Sequence, residues 1–502
     1  MNKTYFISFI IFFLTHSVTT PAETRSCESL ADLEIADTQI SAATTVDPSP
    51  EWPLPDSLFT AVPWETQKSV SVPFCRVEAV LEKEIAFEVW LPDDWNGKYM
   101  GVGNGGFMGA IHYPDLTRAI MRSYAAASTN TGHDSVHVFD SDWMTGNPDR
   151  IPNFGHRAHH LLAVTSKKII QAYYGSTPAY SYFKGCSMGG MEGLTAAQKY
   201  PDDYIGIIAG APANNLTRLQ LRGIWEAQLN RNNPEGVLSE EQKQLIAAAA
   251  VNSCDAKDGV EDGLISDPVH CSFDPAELLC RNTDSGVCLT QAQVETARSS
   301  YGRVYSPGGL ALYPGPAPGT TLVRLPHAPE NNVDDLGLFK LLPQWEGRDV
   351  LTFDYDRDLP PIEKELDPVF NAVDPDLSAF RDRGGKLLMY HGWLDNGISP
   401  YNTLDYINKV NEEMGPENMN DFLRLFTVPG MEHCRGGPGP NQFDMVTPLE
   451  QWVEQGKAPE RITAVHRTDG RVDRSRPLCV FPQRAHYKGQ GNPDLAENFV
   501  CK

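Results

Sequence analysis

Positive charge is scarce in this chain. Forty-two Lys and Arg stand against 65 Asp and Glu, giving a net charge of −23. Such a surface repels polyanions, so neither nucleic acid nor an anionic membrane is an expected partner. Long apolar runs are missing too: after residue 22 nothing approaches the roughly 18 consecutive apolar residues of a spanning helix. Repeats and low-complexity tracts are absent, which excludes a solenoid. The one strongly apolar segment is at the start, "MNKTYFISFIIFFLTHSVTTPA". Lys3 is its charged region, Tyr5 to Leu14 its apolar core, and small residues lead to Ala22. It reads as a secretory signal over residues 1–22, and its removal takes away only the charge of Lys3, leaving −24. The expected location is secreted or periplasmic.

No cysteine is numerically left over. Ten occur, at 27, 75, 186, 254, 271, 280, 288, 434, 479 and 501. An even number behind a signal implies disulfides formed in an oxidising compartment. Sequence alone permits many pairings. Locality favours Cys254–Cys271 and Cys280–Cys288, with Cys479–Cys501 stapling the C-terminus and Cys27–Cys75 the N-terminus; Cys186 and Cys434 then remain for each other.

What is present is a rhythm of strands and helices. "IAFEVWLP" (85–92), "KYMGVGNGG" (98–106), "YSYFKG" (180–185), "IGIIAGAP" (205–212), "KLLMYHGWLD" (386–395) and "LRLFTVPG" (423–430) read as strands, and "GGMEGLTAAQKYP" (189–201) as a helix. Alternation of this kind implies an α/β fold with a mostly parallel sheet covered on both faces. The rhythm fails between about Asn215 and Pro375, where the chain becomes rich in cysteine and proline. At about 480 residues after signal removal, the chain exceeds what one core supports. The expected organisation is a core over 23–214 and 376–502, with a lid domain at 215–375 inserted between core strands.

"GCSMG" (185–189) fits G-x-S-x-G between a strand and a helix, the context of a nucleophile elbow, and makes Ser187 the candidate nucleophile. Serine needs a base to take its proton and an acid to orient the base, in chain order serine, acid, histidine. Asp395 follows the strand at 386–395 and His433 the strand at 423–430. His391, His156, His159 and His160 compete for the base; Asp374 and Asp376, which precede their strand, compete for the acid. If Ser187 and His433 touch, their neighbours Cys186 and Cys434 come within disulfide range. Oxyanion donors are expected from the amide of Met188 and from "GNGGFMG" (103–109), with Gly105 chosen and Gly106 the alternative. Tyr313 and Trp345 are candidates to line an acyl pocket.

"CDAKDGVEDGLISDPVHC" (254–271) sets Asp255, Asp258 and Asp262 in a glycine-containing loop closed by two cysteines. Three carboxylates so close repel unless a cation neutralises them, and hard oxygen donors favour calcium, with the carbonyls of Val260 and Leu264 completing the shell. The expected role of Ca2+ is structural. No organic cofactor is implied.

"GCSMGG", "DPDLSAFRDRGGKLLMYHGWLDNGISP" and "GMEHCRGGPGP" together resemble the tannase and feruloyl esterase family, over nearly the whole mature chain. The resemblance implies an α/β-hydrolase core with an inserted lid, the triad Ser187, Asp395 and His433, the Cys186–Cys434 bridge, and calcium held by Asp255, Asp258, Val260, Asp262 and Leu264. It implies a serine carboxylic ester hydrolase acting on feruloyl or related hydroxycinnamoyl esters, with galloyl esters (tannase) or terephthalate monoesters as alternatives. Met191 departs from the pattern, where many members carry arginine. A secreted serine peptidase on the same fold, or a non-catalytic binding module, are the competing readings from different classes. Oligomeric state is left open.

Overall fold

The computed structural model describes residues 25–50, 69–135, 137–281, 286–322, 338, 341–342 and 348–502. The signal at 1–22 and Trp345 lie outside the described residues.

Among the described residues nine strands form the main sheet: β1 (Thr38–Val46), β2 (Phe74–Leu81), β3 (Ile85–Pro92), β4 (Lys98–Val102), β5 (Ala125–Thr129), β6 (Tyr180–Cys186), β7 (Gly206–Gly210), β8 (Lys386–Gly392) and β9 (Leu423–Val428). Their spatial order is β1-β2-β3-β5-β4-β6-β7-β8-β9. The first three join by antiparallel ladders, and β3 is antiparallel to β5. From β5 to β9 every pairing is parallel. Strands β5 (AAAST) and β7 (GIIAG) are buried at every position. That is the pattern of a parallel sheet with helices on both faces, where no residue can alternate out to water. The edge strand β1 instead has no buried residue, which matches its polar composition.

Helices α1 (Ala158–Tyr174) and α2 (Met188–Lys199) follow β5 and β6 in the chain. The second stops before Tyr200 and Pro201, since proline disfavours helical geometry at the residue before it.

Among the described residues of the segment between β7 and β8, no strand joins the main sheet. Its described helices include α3 (Leu216–Asn232), α4 (Glu240–Cys254), α5 (Gln291–Tyr301) and α6 (Tyr355–Phe370). Capping boxes start two of them, Ser239 with Gln242 and Thr290 with Gln293, each satisfying two otherwise unpaired amides. Leu238, Ile246, Leu289, Val294, Ala297 and Leu322 make a separate small core here. Leu219, Leu221 and Ile224 of α3 belong instead to the principal core. After β9 comes the hairpin of β10 (Arg461–Thr468) and β11 (Arg471–Cys479).

Five disulfides pair all ten cysteines: Cys27–Cys75, Cys186–Cys434, Cys254–Cys271, Cys280–Cys288 and Cys479–Cys501. Among the described residues no helix is long and apolar enough to cross a membrane.

Candidate active site

Ser187 sits between the last residue of β6 and the first of α2 with φ 65° and ψ −121°. A non-glycine residue in this region is strained and persists only where its surroundings hold it. Here three backbone bonds do so. The Ser187 amide donates to Gly210 O at 3.0 Å, and its carbonyl accepts from Met191 N at 3.1 Å and Ala213 N at 3.0 Å. The turn also needs glycine on both sides of a close crossing: a Cβ on Gly103 would lie 2.6 Å from the Cα of Gly189. Met191, the departure from the family pattern, is fully buried in the core on α2.

Asp395 lies in the turn after β8 and is completely buried. Four donors meet its carboxylate. Oδ1 accepts from Gly397 N at 2.9 Å and Ile398 N at 2.8 Å. Oδ2 receives His433 Nδ1 at 2.6 Å and His391 Nε2 at 3.1 Å. Burial works against the charged form. The charge of His433 and the bonds from His391 and His433 nonetheless hold this carboxyl well below the usual carboxylate range. His433, in the loop after β9, is shifted the other way. Burial lowers its affinity for a proton, but the Asp395 charge and hydrogen bond outweigh that, and the net shift is upward from 6.5.

His391, a competitor for the base, instead bonds the carboxylate of Asp395 from the end of β8. Its Nε2 faces two acceptors, Asp395 Oδ2 and Ile398 O at 3.0 Å, so that nitrogen carries the proton, and Nδ1 pairs with Thr403 Oγ1 at 2.8 Å. The spacing His391-x-x-x-Asp395 around a strand-to-loop turn is the signal that could have found it.

The other competitors go elsewhere. Asp374 and Asp376 accept backbone amides within their own turn, from Asp376 and Ser378. His156 Nδ1 meets the Tyr200 hydroxyl at 2.7 Å, and His160 Nδ1 meets Asp203 Oδ2 at 2.8 Å. His159 is buried 3.0 Å from Glu192.

The Cys186–Cys434 bridge ties the residue before Ser187 to the residue after His433, with their Cα atoms 6.0 Å apart. Cys434 itself has φ 62°. A bridge across 248 residues removes about 5 kcal/mol of unfolded-state entropy in the chain-entropy account. Its local effect is to set the two loops against each other. The Cys186→Ala/Cys434→Ala double variant should therefore lose about 100-fold in kcat, the scale of a 1 Å misplacement, as well as stability. Steady-state rates on folded variant, compared with wild type under oxidising conditions, check this; unchanged rates would remove the tether from the account.

On the electrophilic side, Met188 occupies the first turn of α2, where amides have no partner within the helix. Gly105 follows β4 in the facing loop, half-buried. Space alone does not demand glycine there, because an added Cβ would meet only Met108 Cε at 3.4 Å. Gly106 is different: φ is +54°, and a Cβ would lie 2.2 Å from Val138 O. Tyr313 is fully buried and borders a cavity of about 200 Å³ that Asp395, Asn396, Gly397 and Ser399 also line.

In the acidic loop, Asp255 accepts the amides of Asp262 and Gly263 at 3.2 and 2.7 Å, and Asp258 accepts Val260 N at 3.2 Å and Ser266 Oγ at 2.6 Å. Burial, followed by the neighbouring charges of Asp262 and Asp255, pushes Asp258 up to about 6. Asp262 is also ion-paired with Arg476 of β11. Among the described residues no three His, Cys, Asp or Glu side chains form a ready-made metal cage. The donor chemistry still suits a hard cation, since buried, mutually repelling carboxylates are what such an ion relieves.

A parallel sheet that presents a strained serine at a strand-to-helix turn, then an aspartate and a histidine after later strands, defines an α/β-hydrolase. The chain belongs to the tannase and feruloyl esterase family, whose model, "Tannase and feruloyl esterase", matches residues 68–502. An uncharacterized esterase of Xanthomonas campestris pv. campestris is 34% identical over 551 residues, covering 96% of this chain and 92% of that protein. The mono(2-hydroxyethyl) terephthalate hydrolase of Piscinibacter sakaiensis is 30% identical over 542 residues, covering 90% and 89%. The crystal structure of feruloyl esterase B from Aspergillus oryzae superposes with a TM-score of 0.86 at 28% identity, covering 95% of this chain and 99% of that one.

Proposed function

We propose that this protein is a serine carboxylic ester hydrolase that cleaves esters of aromatic acids, feruloyl and hydroxycinnamoyl esters foremost, through an acyl-enzyme on Ser187. The observation that carries the reading is the 2.6 Å bond from His433 Nδ1 to the buried Asp395 carboxylate, on a loop bridged to the neighbour of Ser187. With its proton on Nδ1, His433 keeps the Nε2 lone pair for the serine hydroxyl. His433 takes that proton as Ser187 attacks the ester carbonyl, and Asp395 stabilises the imidazolium. The amides of Gly105 and Met188 receive the charge developing on the carbonyl oxygen. His433 then protonates the departing alcohol. Water, deprotonated by the same imidazole, releases the aromatic acid and restores the serine.

Rates on methyl ferulate, methyl gallate and mono(2-hydroxyethyl) terephthalate, with a peptide amide alongside, test the substrate class. Methyl ferulate is expected to give the largest kcat/KM. A preference for methyl gallate would make the enzyme a tannase, a preference for the terephthalate monoester a hydrolase of that class, and peptide cleavage at a comparable rate would overturn the esterase reading.

The segment 215–375 is assigned as the lid. Calcium is assigned a structural role there, held by the carboxylates of Asp255, Asp258 and Asp262 and the carbonyls of Val260 and Leu264. When bound, the ion would neutralise the loop's carboxylates and stiffen it. Chelation with EGTA should lower the melting temperature by several degrees, restored by added calcium. An unchanged melting curve would remove the ion.

Secretion or residence in the periplasm agrees with ten cysteines all engaged in disulfides, which a reducing cytosol would not sustain.

A further inference from the structure

Glu192 lies on α2, little more than one helical turn beyond Ser187, and is 3% exposed. A carboxylate that deep in the core is costly unless its surroundings are arranged for it. Its Oε2 accepts the backbone amide of Asn104 at 2.9 Å and lies 3.0 Å from Nε2 of His159, itself 6% exposed on α1. The loop runs directly against this oxygen, since a Cβ on Gly103 would come within 2.8 Å of it. Among the described residues neither Glu192 Oε1 nor either ring nitrogen of His159 has a hydrogen-bond partner, so the 3.0 Å approach of His159 is a close contact between charge-bearing groups and not an aligned hydrogen bond. The pair is therefore not one part of a larger satisfied network. Its one well-aligned bond goes to the loop that carries Gly105.

Asn104 anchors that loop at three points. Its amide goes to Glu192, its carbonyl accepts Gly189 N at 2.8 Å, and its side-chain amide donates to Thr129 O at 2.9 Å. The first fixes the peptide plane entering Asn104 and the second the plane leaving it. A trans peptide sets the N–H of residue 105 opposite the carbonyl of residue 104, so fixing that carbonyl fixes the direction of the Gly105 amide. A charged acceptor makes the first anchor shorter and stronger than a neutral one would.

We propose that Glu192, supported by His159, is a positioning residue that orients the Asn104–Gly105 segment, so that the Gly105 amide is aimed before the transition state forms. The proposal rests on the esterase reading above and deepens it. It assigns no contact with substrate to Glu192.

Two variants test it, Glu192→Gln, which is isosteric and keeps an accepting oxygen, and His159→Leu. Each is measured for kcat and KM on methyl ferulate, for inhibition by phenylboronic acid, whose boron adds to the serine oxygen to give a tetrahedral anion, and for binding of ferulate. Removing an oxyanion donor outright costs about 100- to 1000-fold. Misaiming one should cost roughly 10- to 100-fold in kcat, with phenylboronic acid affinity falling by the same factor and KM and ferulate affinity staying within about twofold. Unchanged kcat in both variants overturns the proposal, as does a fall in ferulate affinity equal to the fall in kcat, which would mark general loosening. Ser187→Ala, assayed in parallel, separates the levels. If it retains full activity the underlying esterase assignment fails. If it is inactive while Glu192→Gln and His159→Leu match wild type, the positioning role alone fails.

Discussion

Ser187→Ala is expected to lower kcat on methyl ferulate by about 10⁶-fold, the scale seen when a serine hydrolase loses its nucleophile. Ferulate binding should be almost untouched, because alanine removes one hydroxyl and leaves the backbone bonds to Gly210, Met191 and Ala213 in place. Those bonds make the variant informative: they hold the φ 65° conformation whatever side chain is present, so the elbow should keep its shape. Pre-steady-state assays of wild type with substrate in excess should also show a burst of alcohol release, equal to the enzyme concentration, ahead of steady-state turnover when deacylation is the slower half. Wild-type turnover by Ser187→Ala would end the assignment.

Asp395→Asn should cost about 10³- to 10⁴-fold in kcat. An amide at this position has one oxygen where the carboxylate has two, and its NH2 would face either Gly397 N and Ile398 N or the donors His433 and His391. Either placement sets donor against donor, and the imidazole loses its preferred tautomer. The pH profile supplies a second reading. His433 must be neutral to act as base, and Asp395 raises its pKa above 6.5, so wild-type kcat/KM should fall as pH drops through an apparent pKa above 6.5. Without the carboxylate only burial remains among the dominant influences, and burial favours the neutral ring. The acid limb should therefore move to lower pH in Asp395→Asn, and an unmoved limb would assign that titration to another group.

Much of this arrangement could be read from the residues because it is local. The apolar runs at 85–92, 180–185, 205–212, 386–395 and 423–430 coincide with β3, β6, β7, β8 and β9 to within a few residues at their ends. The run at 98–106 is cut short at Val102, where the Gly103 amide makes its last bond to β6 at Lys184 O and the chain turns into the Asn104 loop. Strands β1, β2 and β5 were not legible. The sequence of β5 is Ala-Ala-Ala-Ser-Thr, almost without the branched and aromatic residues that signal a strand; its position between β3 and β4 decides its conformation. Polar β1 pairs only at the sheet edge.

The supporting residues of the site were the least legible. His159 and Glu192 meet only because α1 and α2 pack beside each other, and no spacing along the chain announces that contact. The ion pair between Asp262 and Arg476 likewise joins the acidic loop to a hairpin more than 200 residues later. By contrast, Cys186 and Cys434 adjoin the two residues they help to place, which is why their pairing was readable.

The segment between β7 and β8 departs from and returns to neighbouring strands: Gly210 is in register with Tyr390, and Ala211 N donates to Tyr390 O at 2.7 Å. The strands are parallel, so exit and re-entry lie at opposite ends of them, but the stems of 215–375 meet before that: Asn215 and Asn371 form an antiparallel bridge, and Ala372 N donates to Asn214 O at 2.8 Å. Residues 215–375 thus open and close at one point outside every ladder of the main sheet, so exchanging this stretch leaves the strand pairing as it is.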